Sequence, residues 1–243
     1  MRRIFLIMLT FSFAIAPWGL GGAVEQSRVI PDSLLHDSSA QELKEVIQGA
    51  SYVDEKKGAV FRGHREVYEY LLNHLDFASQ LGRIMDLTDY VIEQTDEGVY
   101  EATTPKGGWA RLQVVYADDE KRVVLAQGKY GRAVVVLRYD SFDLGGESYI
   151  VYDLYGYVRA DNPILSLLLA LFGGIVDHRI EHVLTCVAEL NERIYDAPGA
   201  FQQELLTQTE LPPGHLSEFT GSSTNCNVGG RAHTPYSTKR TAT

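Results

Sequence analysis

From Asp89 to Val158 apolar residues recur at every second position, in runs separated by short breaks rich in turn formers. No other feature constrains the fold as tightly. A period of two puts alternate side chains on opposite faces of a pleated strand. The runs are Asp89–Gln94, Gly98–Thr103, Trp109–Tyr116, Arg122–Gly128, Ala133–Tyr139 and Ser148–Val158. Between them lie Asp96-Glu97-Gly98, Pro105-Lys106-Gly107-Gly108, Ala117-Asp118-Asp119-Glu120 and Asp143-Leu144-Gly145-Gly146. Breaks this short join antiparallel neighbours, so the pattern predicts a meander. In the third run Ala110, Leu112, Val114 and Tyr116 oppose Trp109, Arg111 and Gln113. In the fifth, Ala133, Val135, Leu137 and Tyr139 oppose Arg132 and Arg138; in the last, Ile150, Tyr152, Leu154 and Val158 oppose Glu147 and Asp153. One apolar and one wet face is what an antiparallel sheet covered on one side shows.

The period then changes. In Asp177–Ile194 the residues Ile180, Val183, Leu184, Val187, Leu190 and Ile194 recur at helical spacing, with Asn191 as the one polar member of the stripe. Asp177 is placed to cap the free N–H groups at the start, and Pro198-Gly199 mark the stop. A one-sided helix after a run of strands needs a sheet to lie on. The pattern therefore predicts strands that curve around this helix and leave an apolar space between.

Gly63–Met85 reads as two short helices, with Val67, Tyr70, Leu71, Leu72 and Leu75 in the first, a turn at Asp76–Ser79, and Leu81, Ile84 and Met85 continuing the apolar face. Residues 51–62 hold a first strand ending in Ala59-Val60-Phe61. Residues 24–58 are taken as a polar lead-in with a short helix over Gln41–Gln48, capped by Ser38 or Ser39. Residues 1–23 read as a secretory signal: Arg2-Arg3, an apolar run too short for a membrane span, and small residues that place cleavage after Ala23. This predicts a secreted or periplasmic protein. Residues 163–176 (PILSLLLALFGGIV) are the most apolar of the mature chain; they suit core, and an alternative is a glycine-hinged gate that makes transient membrane contact. From Thr207 the chain is rich in Ser, Thr, Gly and Pro, and 198–243 is expected to be a disordered tail.

The formal net charge of -10 argues against nucleic acid as a partner. It leaves an apolar ligand open, because such a pocket works by burial. The two cysteines, Cys186 beside the helix stripe and Cys226 in the tail, form no metal-binding pattern.

The order of elements, together with the segments GHREVYEYLLNHLDFASQLGRI and DHRIEHVLTCVAELNERI, resembles the helix-grip fold of the SRPBCC superfamily, which includes the START lipid-transfer domains, the polyketide cyclase-like proteins and the Bet v 1 relatives. The resemblance covers residues 59–197. It implies an α+β fold in which a curved antiparallel sheet wraps a long C-terminal helix, with a hydrophobic ligand between them. That places Leu112, Val114, Tyr116, Val135, Leu137, Tyr139, Ile150, Tyr152 and Leu154 opposite Ile180, Val183, Leu184 and Val187 as the ligand cavity. The implied partner is a hydrophobic small molecule or lipid, with no cofactor and no assigned catalytic residue. An alternative in the same fold is a cyclase- or dehydratase-type enzyme using a pocket Tyr or His.

One motif competes with this reading. His178-Arg179-Ile180-Glu181-His182 matches the H-x-x-E-H pattern of inverted zinc peptidases. At about 100° per residue, His178 and His182 fall opposite the apolar stripe and face solvent. A catalytic zinc also needs a third protein ligand and a dry cleft, and little chain remains downstream to supply one. The two histidines read as surface residues on a charged helix face, and no metal site is assigned. No nucleophile elbow, phosphate loop or Ser-His-Asp grouping is legible.

Overall fold

The computed structural model describes residues 38–162, 174–199, 201, 203 and 219, and of these 38–40 and 174–183 by backbone alone. The expected signal (1–23) and residues 163–173 of the apolar segment lie outside the described residues. The elements in order are α1 (Ser38–Gln48), β1 (Tyr52–Arg62), α2 (Arg65–Asn73), α3 (Leu75–Ile84), β2 (Val91–Asp96), β3 (Val99–Thr103), β4 (Trp109–Ala117), β5 (Lys121–Gly128), β6 (Gly131–Leu144), β7 (Glu147–Ala160) and α4 (Gly174–Asp196). The strands form one antiparallel sheet of seven, in the order β1-β7-β6-β5-β4-β3-β2. The meander carries β2 to β7, and β1 closes on β7. This is the helix-grip α+β fold.

The sheet has two covered faces, each with its own core. On the concave face α2, α3 and the C-terminal half of α4 pack Val67, Tyr68, Leu71, Phe77, Leu81, Val187, Leu190 and Ile194 against Phe61, Leu137, Tyr139, Ile150, Tyr152 and Leu154. On the convex face α1 lays Leu43, Val46 and Ile47 onto Val123, Leu125, Val134, Val136, Tyr155 and Tyr157. Two ion pairs flank that helix, Arg132–Glu42 at 3.1 Å and Arg159–Glu45 at 3.8 Å.

Four expectations are corrected here. The lead-in boundary at residue 58 falls inside β1, which starts at Tyr52, and α1 is part of the core rather than a prelude to it. The alternation in Tyr52–Lys56 is masked by charge: Asp54 and Lys56 sit on the same face as Tyr52. The chain between α2 and α3 turns at His74, not over Asp76–Ser79, and Asp76 lies in the first turn of α3. α4 begins at Gly174, so Asp177 lies within the helix rather than at its cap. Beyond residue 198, Phe201 and Phe219 are buried in the concave core, with the Phe219 ring 5.4 Å from those of Tyr70 and Phe77. The stretch expected to be a disordered tail thus contributes at least these two aromatic rings to the fold.

β6 and β7 run further than their apolar patterns, pairing from Gly131↔Ala160 to Leu144↔Glu147. Their hairpin turn is Gly145-Gly146, both at positive φ (66° and 89°), a conformation that side chains with a Cβ resist.

Candidate functional site

Register fixes which side chains share the concave face, because directly paired residues point the same way. Crossing β4, β5, β6 and β7, one row reads Leu112, Ala126, Ala133, Val158; the next reads Val114, Val124, Val135, Gly156. The row beyond holds Arg122, Leu137 and Leu154, followed by Tyr139 with Tyr152 and then Ser141 with Ile150. Side-chain size therefore rises along the strands. The small rows are uncharged from β4 to β7 and end at the edge strand β1 in Tyr52 and Asp54. Leu112, Val114, Val124, Ala126, Ala133 and Val135 are only half-buried, whereas Leu137, Tyr139, Ile150, Tyr152 and Leu154 are buried. One end of the concave face is packed solid by large side chains, and the other is lined with small apolar ones.

Of the cavity residues named from the sequence, Leu112, Val114, Val135, Leu137, Tyr139, Ile150, Tyr152 and Leu154 share this face. Leu184 and Val187 of α4 pack against its large-residue end. The side chains of Ile180 and Val183 lie outside the described residues. Tyr116 is corrected. Val114 pairs with Val124 but Tyr116 pairs with Val123, so Val115 is an extra residue in β4. Such a bulge moves every later side chain to the opposite face. Tyr116 consequently packs beside the convex cluster and donates its hydroxyl to Asp118 Oδ2 at 2.6 Å. That bond raises the phenol's pKa, and the carboxyl's is lowered: its hydroxyl and two backbone donors outweigh desolvation.

At the boundary between the two ends lies a group that the alternation pattern left unremarked. Arg122 is 8 % exposed and lies on the concave face of β5, two residues before Val124. Its Nη1 donates to Asn73 Oδ1 at 2.7 Å, and Nη2 makes a long 3.4 Å contact to the Tyr139 hydroxyl. Nε is buried and has no hydrogen-bond partner. The Tyr68 ring stands 5.3 Å from that of Tyr139, edge to face, and Tyr100 donates its hydroxyl to Asn73 O at 2.8 Å. Burial raises the pKa of Tyr68, Tyr139 and Tyr100, with Arg122 opposing it in all three. These phenols stay protonated at neutral pH. Tyr139, which accepts from Arg122, keeps its own proton to donate to a ligand, whereas Tyr100 spends its proton on Asn73; all three are poorly suited to act as the general base that a cyclase would need. The signal that could have found Arg122 is its phase: it alternates with Val124 and Ala126, not with Val123 and Leu125.

A shallow cleft between α3, β2 and α4 is lined by Ala78, Ser79, Thr88, Tyr90, Ile92 and Cys186, with an interior of about 10 Å³, room for about one water. Cys186 is a buried free thiol whose pKa burial pushes up to about 11. Among the described residues no group of three or more His, Cys, Asp or Glu is placed to hold a metal. The side chains of His178, Glu181 and His182 lie outside those residues. No described helix is long and apolar enough to cross a membrane.

This arrangement, a long helix laid across a curved sheet with an apolar concave face, is that of a helix-grip α+β fold. No protein-family model matches the sequence, and no curated protein matches it. Among solved structures the chain is similar to a START superfamily protein from Mycobacterium smegmatis (12% identity, TM-score 0.44, covering 58% of this chain and 98% of that one). It is also similar to Ara h 8.0201 (11%, 0.41, 57% and 96%) and to truncated norcoclaurine synthase from Thalictrum flavum (10%, 0.42, 57% and 92%).

Proposed function

We propose that the chain binds a hydrophobic small molecule or lipid between the small-residue half of the concave face and the N-terminal half of α4, and serves as a carrier. One observation supports this above the rest: the rows Leu112-Ala126-Ala133-Val158 and Val114-Val124-Val135-Gly156 carry uncharged, mostly small residues, and on β4, β5 and β6 their side chains are only half-buried. A filled core uses large side chains at such positions, as the other end of the same face does. Apolar lining with a few polar groups at one end is the general make-up of a small-molecule site.

The test is to fill the space. In a Val124→Trp variant the carrier reading expects loss of Nile red binding by about tenfold or more, with stability in urea changed by less than about 1 kcal/mol, because the ring enters unoccupied volume. A drop of about 1–3 kcal/mol or more, with no Nile red binding by the wild type to lose, is the signature of an already packed core and would sink the proposal. Export belongs to the same proposal and rests on residues 1–23. N-terminal sequencing of the mature protein is expected to begin at Val24, and a chain still starting at Met1 would contradict it.

A further inference from the structure

We propose that Arg122 is an anion anchor, so that the ligand is an amphipathic acid whose carboxylate meets the guanidinium while its chain lies along the small-residue rows. The inference rests on the cavity reading above and adds the ligand's head group to it.

Burying a guanidinium is costly unless a partner of opposite charge or a full set of acceptors compensates. Arg122 has neither. No carboxylate among the described residues stands within ion-pair distance of it. The donors are unevenly used. Nη1 is engaged by Asn73, Nη2 has only its long contact to Tyr139, and Nε has nothing. The unspent edge is thus the Nε–Nη2 side, and its two parallel N–H groups match the two oxygens of a carboxylate. Tyr139 adds a hydroxyl that burial keeps protonated. Asn73 fixes the guanidinium through Nη1, so the Nε–Nη2 side is held rather than free to swing. The position is also right: Arg122 lies where the large-residue end gives way to Val124 and the small rows. A surface arginine would snorkel into water; this one is buried at the step between the two ends of the face.

The experiment titrates the full chain, stripped of bound lipid, with dodecanoate, dodecanol and dodecyl phosphate, each displacing Nile red. The acid is expected to bind about tenfold or more tightly than the alcohol, the difference a charge-assisted bidentate contact supplies. In Arg122→Met the acid's advantage should vanish while dodecanol binds as before, and that retained binding shows that the variant is folded. Equal binding of acid and alcohol by the wild type would overturn the anchor but leave the cavity. Preference for the acid that survives in Arg122→Met would also overturn it. Dodecyl phosphate outcompeting dodecanoate would overturn the carboxylate assignment. Binding of none of the three would sink the cavity reading and the anchor together.

Discussion

Asn191 shows how one polar side chain in an apolar stripe can hold two elements together. It is fully buried; its Oδ1 accepts from the His64 backbone N–H at 3.2 Å, and its Nδ2 donates to the His64 carbonyl at 3.1 Å. A Cβ on Gly63 would lie 2.7 Å from Asn191 Cγ, so the chain entering α2 is pressed against the amide with only hydrogen to spare. Asn191→Ala takes the acceptor from the His64 N–H, while the His64 carbonyl keeps the Tyr68 N–H at 3.0 Å, and is expected to cost about 1–3 kcal/mol in urea denaturation; a loss under about 0.5 kcal/mol would mean that water replaces the amide. Cys186 offers a second check. With its thiol pushed up to about 11 by burial, it stays neutral and inert at physiological pH. In a Cys226→Ser background, a thiol reagent at pH 8 should label it only as fast as the chain unfolds, and rapid labelling of the folded protein would contradict the burial. Asn191 was visible in the sequence as the exception to its stripe, but its partner was not, because a helix pattern does not say what the helix touches. Arg122 was legible only by phase, and a charged residue beside Lys121 at a strand's first turn reads as a wet end.

The strands were legible because their period and turn chemistry agree, and the two helices after β1 because their apolar spacing is unambiguous. The bulge in β4 was not. Ala110, Leu112, Val114 and Tyr116 alternate without fault, and only the partner strand reveals that Val115 is extra. β1 was legible in its extent, Tyr52–Arg62 against an expected 51–62, but not in its irregularity: the strand runs through a bulge between Lys56 and Ala59, where the Gly58 N–H donates to Asp153 Oδ1 at 2.8 Å. α1 was taken for a prelude because its apolar face is short. On the sheet, that face closes a second core. Leu43→Ala is therefore expected to cost about 2–4 kcal/mol, the range for a truncated core leucine. A cost within about 0.5 kcal/mol, the range of a surface substitution, would return α1 to the role of a loosely docked lead-in.

At the scale of the molecule, one sheet serves two masters. Its convex face packs against α1, and its concave face grades from solid core to a lining of small, half-buried residues. The order of elements made the helix-grip architecture readable, since a meander followed by a one-sided helix has few ways to close. The grading was not readable, because it depends on which residues stand side by side on four strands. The central claim is that the small-residue end holds an apolar ligand. Native mass spectrometry of the protein as isolated, beside organic extraction of what it carries, tests that most directly. The account predicts a mass above that of the polypeptide and an extract containing an acid with a long apolar body. A bare polypeptide mass, with no uptake of Nile red or dodecanoate on addition, would contradict it.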